Sequence, residues 1–281
     1  MIKPRSQSQS PQSPQSPQSH QRPQWRPALP PLPMPFEGRL VCGVQAVREA
    51  VRAHGEKIHG LLLEQHDERS PLDGLRRFAE TRGITVQAWA RNDLDRLTGQ
   101  QRHQGCVAFA PPLRFAPVSE IEAVPESLVV ALDELEDPQN FGAIVRSAVA
   151  LGAKAILFPE HHAAPLTPAT FRASSGAVEH AVFCKVGSLP RALEELRERG
   201  FGIVGLDSSG STYDAPGLFL RPVVLVVGAE GKGLRKSVRA ACTEVVAFPL
   251  LGPIESLNAS VAAGIALHEV QAQRRRAAAP S

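Results

Sequence analysis

A chain of 281 residues with 43% apolar and 21% charged residues can form one large or two medium cores, which excludes a small scaffold stapled by disulfides or metal. Its four cysteines are scattered, with no Cys-x-x-Cys pair and no histidine at zinc-finger spacing, so free buried thiols in a reducing cytoplasm and no metal site are expected. The net charge of +3 is basic at both ends and acidic over residues 117–270, and no apolar run matches a membrane span or signal sequence; a soluble cytoplasmic protein with a local footprint for any polyanion is expected.

Residues 1–35 repeat Pro-Gln-Ser three times and then turn proline-rich, a composition too poor in apolar groups to outweigh the entropy of ordering. The segment reads as a disordered tail, either without function or lending Lys3, Arg5, Arg22 and Arg26 to hold a polyanion. Residues 38–110 alternate: a helix over 44–55, a strand over 58–65, a helix over 71–83, and strands over 84–90 and 105–110. Residues 111–127, with four prolines, read as a linker.

Six short runs rich in β-branched residues follow, LVVALD, AKAILF, AVFCKV, FGIVGLD, PVVLVVG and TEVVAFP. Helical patterns over 141–152, 188–200, 234–242 and 256–276 separate most of them or end the chain. Apolar strands alternating with helices predict a mostly parallel sheet covered on both faces. Ligands of such sheets bind beyond the carboxyl ends of the strands, which selects the loops 133–140, 228–233 and 249–257.

The first loop runs into DPQNFGAIVRSAV, where Asn140 suits a helix cap and Arg146 falls among Ile144, Val145, Ala148 and Val149. A guanidinium there must reach solvent along its stem or meet an anion, because an unpaired buried charge is strongly unfavourable. The second, VVGAEGKGL, matches neither a P-loop nor a dinucleotide fingerprint, which removes the nucleotide-binding reading. It offers Gly228, where backbone can approach a ligand, and Glu230, either solvated or held on a tight turn. The third, FPLLGPIESLNASVAAG, brings Glu255, Ser256 and Asn258 to a helix entrance, where capping is a sufficient role unless something binds there.

Taken in order, NFGAIVR (140–146), GAEGKGL (228–234) and FPL through ESLNASV (248–261) resemble the three motifs of the SpoU/TrmH family of RNA ribose 2′-O-methyltransferases, within the SPOUT superfamily. The likeness spans about residues 128–273. GVQAV (43–47), followed by an α/β unit ending in HQG (103–105), is similar to the substrate-binding module of the branch that methylates a guanosine of 23S rRNA, and ASSGAVE (173–179) matches a family stretch near the active site. Phe248 departs from the aliphatic residue common in relatives, and the long tail is a second departure.

The resemblance implies an α/β protein whose C-terminal sheet, residues 128–273, closes in a deep trefoil knot after a small RNA-binding domain at 38–110, with a basic tail at 274–281. It implies S-adenosyl-L-methionine as cofactor, touching Gly228, Phe248 and Leu257, and a homodimer packed through the knotted domains. The substrate it implies is RNA, rRNA before tRNA. Arg146 would stand beside the ribose 2′-hydroxyl; because guanidinium holds its proton so firmly, stabilising the developing alkoxide is the simpler role. Asn140, Glu230, Ser256 and Asn258 would orient Arg146, ribose and cofactor, while Arg39, Arg102, His103 and Gln104 are candidates for RNA contact. His161 and His162 read as loop surface rather than metal ligands. A tRNA ribose methyltransferase and a non-catalytic RNA-binding or ribosome-assembly factor remain as alternatives.

Overall fold

Strand and helix alternate along the chain in two blocks, and each block builds its own sheet in the computed structural model, which describes residues 38–65, 70–161, 166–212 and 217–279. The tail at 1–35 and His162 lie outside these residues. The first block runs β1 (Arg39–Cys42), α1 (Val44–His54), β2 (Gly60–Glu64), α2 (Pro71–Glu80), β3 (Val86–Trp89), α3 (Arg91–Thr98) and β4 (Cys106–Ala110). Its four strands lie in the order β1-β4-β2-β3, with β4 antiparallel to both β1 and β2, and β3 parallel to β2. Alternate side chains of a strand point to opposite faces. Leu61, Leu63, Cys106 and Ala108 therefore pack with Val47, Val51 and Leu75 of α1 and α2, while Leu62, Val107 and Phe109 pack with Leu94 of α3. Neither β1 nor α3 has a counterpart among the expected elements.

The second block runs β5 (Leu128–Leu132), α4 (Pro138–Ala150), β6 (Ala155–Pro159), α5 (Pro168–Ala173), β7 (Phe183–Val186), α6 (Leu189–Glu198), β8 (Gly202–Thr212), β9 (Val223–Val227), α7 (Lys236–Ala241), β10 (Glu244–Ala247) and α8 (Ala259–Ala278). All six strands are parallel, in the order β10-β8-β9-β5-β6-β7. Leu128, Val130, Leu132, Val223, Leu225 and Val227 pack with α4 and α8, and Val129, Ala131, Val224 and Val226 with α6 and α7. Burial on both faces is why these strands read as unbroken apolar runs, each such side chain stabilising the fold by roughly 1.5–3 kcal/mol.

Two further segments are tied to the body of the molecule. Residues 111–127, expected as a linker, are pinned to the second block: Ala116 N donates to Phe183 O at 2.9 Å, Val118 and Ile121 are buried, and the Arg199 guanidinium donates to the carbonyls of Val118, Ser119 and Ile121. Helix α8 extends to Ala278, two residues past the helical pattern and into the expected basic tail. Arg274 ties that end to the body, donating to the carbonyls of Phe219 (2.9 Å), Glu126 (2.7 Å), Ser127 (3.1 Å) and Arg221 (3.2 Å). All four cysteines are free thiols, and burial pushes Cys42, Cys184 and Cys242 up to about 11 and Cys106 to about 12. Among the described residues no helix is long and apolar enough to cross a membrane.

Candidate active site

Strand β9 lies between β5 and β8; Asp133 directly follows β5, and Asp207 lies midway along β8, one residue past its last pairing with β9. Those two aspartates hold the glycine-rich loop that follows β9. Asp133, fully buried, accepts from Arg235 N at 2.9 Å and from Arg235 Nε at 2.7 Å, and the same guanidinium reaches Glu134 at 3.3 Å. Asp207 accepts from Leu234 N at 3.3 Å and from Ser209 N at 3.0 Å, and pairs with Arg239 at 3.1 Å. Burial by itself would raise the Asp207 carboxyl, but the Ser209 hydroxyl and amide, the Leu234 amide and the Arg239 charge together hold it below the usual carboxylate range.

The loop folds tightly on itself. Gly233 N donates to Ala229 O at 3.0 Å, and Gly231 and Gly233 take φ of +75° and +65°. A Cβ on Gly228 would lie 2.4 Å from the backbone C and O of Gly233. Gly228 thus leaves room for the loop's own return strand, whereas the sequence reading had assigned that room to a ligand.

Asp137 caps α4, its carboxylate accepting from the amides of Gln139 and Asn140 at 3.1 Å each. Asn140 is therefore inside the first turn rather than at the cap, and its side chain is available elsewhere. It donates to Glu230 Oε2 at 3.2 Å and accepts from Asn258 Nδ2 at 2.9 Å, and Asn258 also reaches Glu230 at 3.4 Å. Asn258 Oδ1 meanwhile caps α8, accepting from Ser260 N at 2.9 Å and Val261 N at 3.3 Å. Asn140 and Glu230 of the first two selected loops and Asn258, which directly follows the third, thus meet in a single polar triangle, and Asn258 caps α8 while it takes part.

Beside the triangle opens a cleft of about 150 Å³. Gly228, Glu230, Phe248, Ser256 and Leu257 all line it, and its ionisable lining is wholly acidic: Asp207, Glu230 and Glu255. Arg146 is elsewhere. Six residues beyond Asn140 on α4, it points about 240° round the helix, is exposed, and donates to Ser175 Oγ at 3.1 Å. Of the residues expected to orient Arg146, ribose and cofactor, Asn140, Glu230 and Asn258 bond to one another, and the hydrogen bond of Arg146 goes to Ser175.

The family profile described as SpoU rRNA Methylase family matches residues 127–268, half of the chain, and a second, described as RNA 2′-O ribose methyltransferase substrate binding, matches residues 40–116. The chain belongs to the SpoU methylase family. It is 41% identical over 247 residues to an uncharacterized tRNA/rRNA methyltransferase of Mycobacterium ulcerans (strain Agy99), covering 85% of this chain and 78% of that one. Against a protein of the same description from Mycobacterium tuberculosis (strain ATCC 25177 / H37Ra) the identity is 39% over 252 residues, covering 87% and 77%. Among solved structures it is similar to the SpoU methyltransferase AviRb from Streptomyces viridochromogenes in complex with the cofactor AdoMet, with a TM-score of 0.68 and 28% identity over 85% of this chain and 91% of that one. It is also similar to the AdoMet-bound rRNA methyltransferase from Sinorhizobium meliloti, with a TM-score of 0.66 and 26% identity over 83% and 86%.

In the N-terminal part of this SpoU protein, three of the four RNA-contact candidates are engaged internally. Arg39 forms a two-pronged ion pair with Glu179 of the second block. His103 is buried, one ring nitrogen accepting from Gly105 N at 3.0 Å and the other bonded to Asp95 at 2.9 Å. Gln104 accepts from Val44 N at 3.0 Å, supplying the cap that Gly43 cannot give α1. Arg102 is exposed. Sequence reasoning missed Asp133 and Asp207, for which the repeated Leu-Asp closing LVVALD and FGIVGLD was the available signal, and it placed Ser175 only within the 173–179 stretch, without a role.

Proposed function

We propose that the protein methylates a ribose 2′-hydroxyl of RNA, with a guanosine of 23S rRNA as the target. Membership of the SpoU methylase family makes the chain a methyltransferase with S-adenosyl-L-methionine as cofactor. The chain fits that molecule: an all-acidic ionisable lining suits a sulfonium cation, Phe248 and Leu257 offer apolar walls, and the backbone of the 228–233 loop offers polar groups to an adenine edge. Bound there, the cofactor supplies an electrophilic methyl on an already good leaving group. What the protein must add is alignment and a more nucleophilic hydroxyl.

The observation that carries the reading is the Asn140–Glu230–Asn258 triangle beside this cleft, which fixes Glu230 with two amide donors. Ser256 lines the same cleft, and Arg146 meets the ribose from the exposed side of α4, stabilising the developing alkoxide and holding the adjacent phosphate. The unit at residues 39–110 grips the RNA, with Arg102 as its exposed candidate, and its presence favours rRNA over tRNA.

Two further parts of the reading have their own support. Leu251 and Ile254 are 100% and 68% exposed, and Val261 and Ile265, one turn apart on α8, are exposed as well; a second copy of the chain would cover these apolar side chains, giving a homodimer. The chain leaves β10 at the sheet edge and returns as α8 to pack on α4 and β9 at the sheet centre, a return that supports the reading of a trefoil knot. Mapping 2′-O-methylation across rRNA and tRNA in cells with and without the protein tests the target. Loss of one 23S site is expected; loss of a tRNA site instead would move the assignment, and an unchanged map would refute it.

A further inference from the structure

Residues 174–180 touch both halves of the molecule at once. At one end Ser175, with φ of +51°, accepts from Arg146 Nη1 at 3.1 Å. Its backbone is in the left-handed region, which costs a residue with a Cβ about 1 kcal/mol and persists only where surroundings impose it. The surroundings are visible. Ser174 is fully buried with its hydroxyl on Phe171 O, and α5 is pressed against α4 where Gly142 leaves no room for a Cβ, the nearest atoms being 2.6 Å away on Ala173 and Thr170. Gly142 and Arg146 are four residues apart on α4 and so share that face.

At the other end the same segment is fastened to the N-terminal unit. Glu179, its side chain 1% exposed, accepts both prongs of the Arg39 guanidinium and meets His54 Nε2 at 2.9 Å. His180 pairs with Glu49 at 2.9 Å, and Gly176 lies so close to α1 that a Cβ would be 2.8 Å from Glu49 Cβ and 3.0 Å from Ala46 Cα. Burial opposes the charge on Glu179, while His54 and Arg39 favour it and hold the carboxyl below its ordinary range. Only three residues separate Ser175 from Glu179, and one of them, Val178, is buried in the main core. So short and pinned a segment has no slack: a shift of Arg39 and His54 relative to the sheet is passed to Ser175.

We propose that residues 174–180 couple the RNA-binding unit to the methyl-transfer site, with Glu179 and Ser175 as positioning residues that set the guanidinium of Arg146. The coupling rests on the reading of Arg146 given above. It makes turnover depend on how the N-terminal unit is seated, so RNA held in the wrong orientation leaves Arg146 misplaced.

The test is a set of substitutions, E179Q, R39Q, S175A and the double E179Q/S175A, assayed for methyl transfer to 23S rRNA with S-adenosyl-L-methionine affinity measured by calorimetry. Each single change should lower kcat about tenfold with cofactor Kd within about twofold, and the double should be no worse than its worse single, because both break one linkage. R39Q leaves 174–180 chemically intact: if Arg39 only gripped phosphate, KM for RNA would rise with kcat unchanged, and the coupling would be refuted. Multiplying effects in the double would refute it as well. If E179Q does not fold, the pair R39Q and S175A gives the same cycle. Turnover surviving in R146A would overturn the reading of Arg146, whereas loss in R146A with wild-type kcat in R39Q and S175A would overturn the coupling alone.

Discussion

Gly228→Ala places a methyl group where the loop after β9 closes on itself. The new Cβ would lie 2.4 Å from the C and O of Gly233 and 2.8 Å from Leu234 N, against an ordinary contact that begins at 3.4 Å. The backbone must open by about 1 Å, and overpacking of this kind costs about 1–3 kcal/mol. The far limb cannot yield easily, because Leu234 N is held by Asp207 and Arg235 N by buried Asp133. The near limb, carrying Glu230, must move instead, and a displacement of about 1 Å at a positioned group costs about a hundredfold in rate. Calorimetry should show S-adenosyl-L-methionine binding weakened at least about tenfold, with a lowered Tm. Gly231→Ala is the control, since nothing lies within 4 Å of its Cβ and only its φ of +75° opposes the change, at about 1 kcal/mol. Cofactor affinity and Tm in Gly228→Ala equal to those of wild type would refute the loop-closure argument.

Arg146→Ala should abolish methyl transfer with cofactor affinity nearly unchanged; turnover within about tenfold of wild type, roughly 1.4 kcal/mol of barrier, would remove Arg146 from the mechanism. Asn258→Ala should lower stability by about 1 kcal/mol through the lost α8 cap and reduce turnover further by freeing Glu230, a pairing that chemical denaturation and kinetics can separate. Glu179 has a depressed folded-state pKa, so its contribution is present above the ordinary glutamate range and is lost as pH falls through the folded value. The Tm gap between wild type and Glu179→Gln should therefore be widest near neutrality and close below about pH 4, and a constant gap would contradict the ion-pair account. Leu251→Glu with Ile254→Glu should convert a sedimenting dimer to monomer; an unchanged wild-type monomer at micromolar concentration would dispose of the homodimer.

The parallel sheet was legible because β5, β6 and β9 are apolar on every residue and α6 is amphipathic. β1 and α3 were not: RLVC is four residues long, and RNDLDRLT has two apolar positions in eight, so neither gives a periodic signal. The Asp-Pro pair at 137–138 was a readable helix start, and following it would have placed the cap on Asp137 and released Asn140 for the triangle. β8 runs on to Thr212 through a polar stretch because it continues beside Val246 and Ala247 of β10 after a register shift, a tertiary pairing with no local pattern. The same limit hid the partners of Arg39 and Arg146. Glu179 and Ser175 lie 140 and 29 residues away, and an arginine that forms a buried pair looks in sequence like one that waits for a phosphate.

The most direct test is transfer of labelled methyl from S-adenosyl-L-methionine to 23S rRNA by the purified protein, followed by alkaline hydrolysis and nucleoside analysis. The account predicts label in 2′-O-methylguanosine, inside a dinucleotide that resists alkali, and none with Arg146→Ala. Label on a base, or no label in RNA at all, would contradict it.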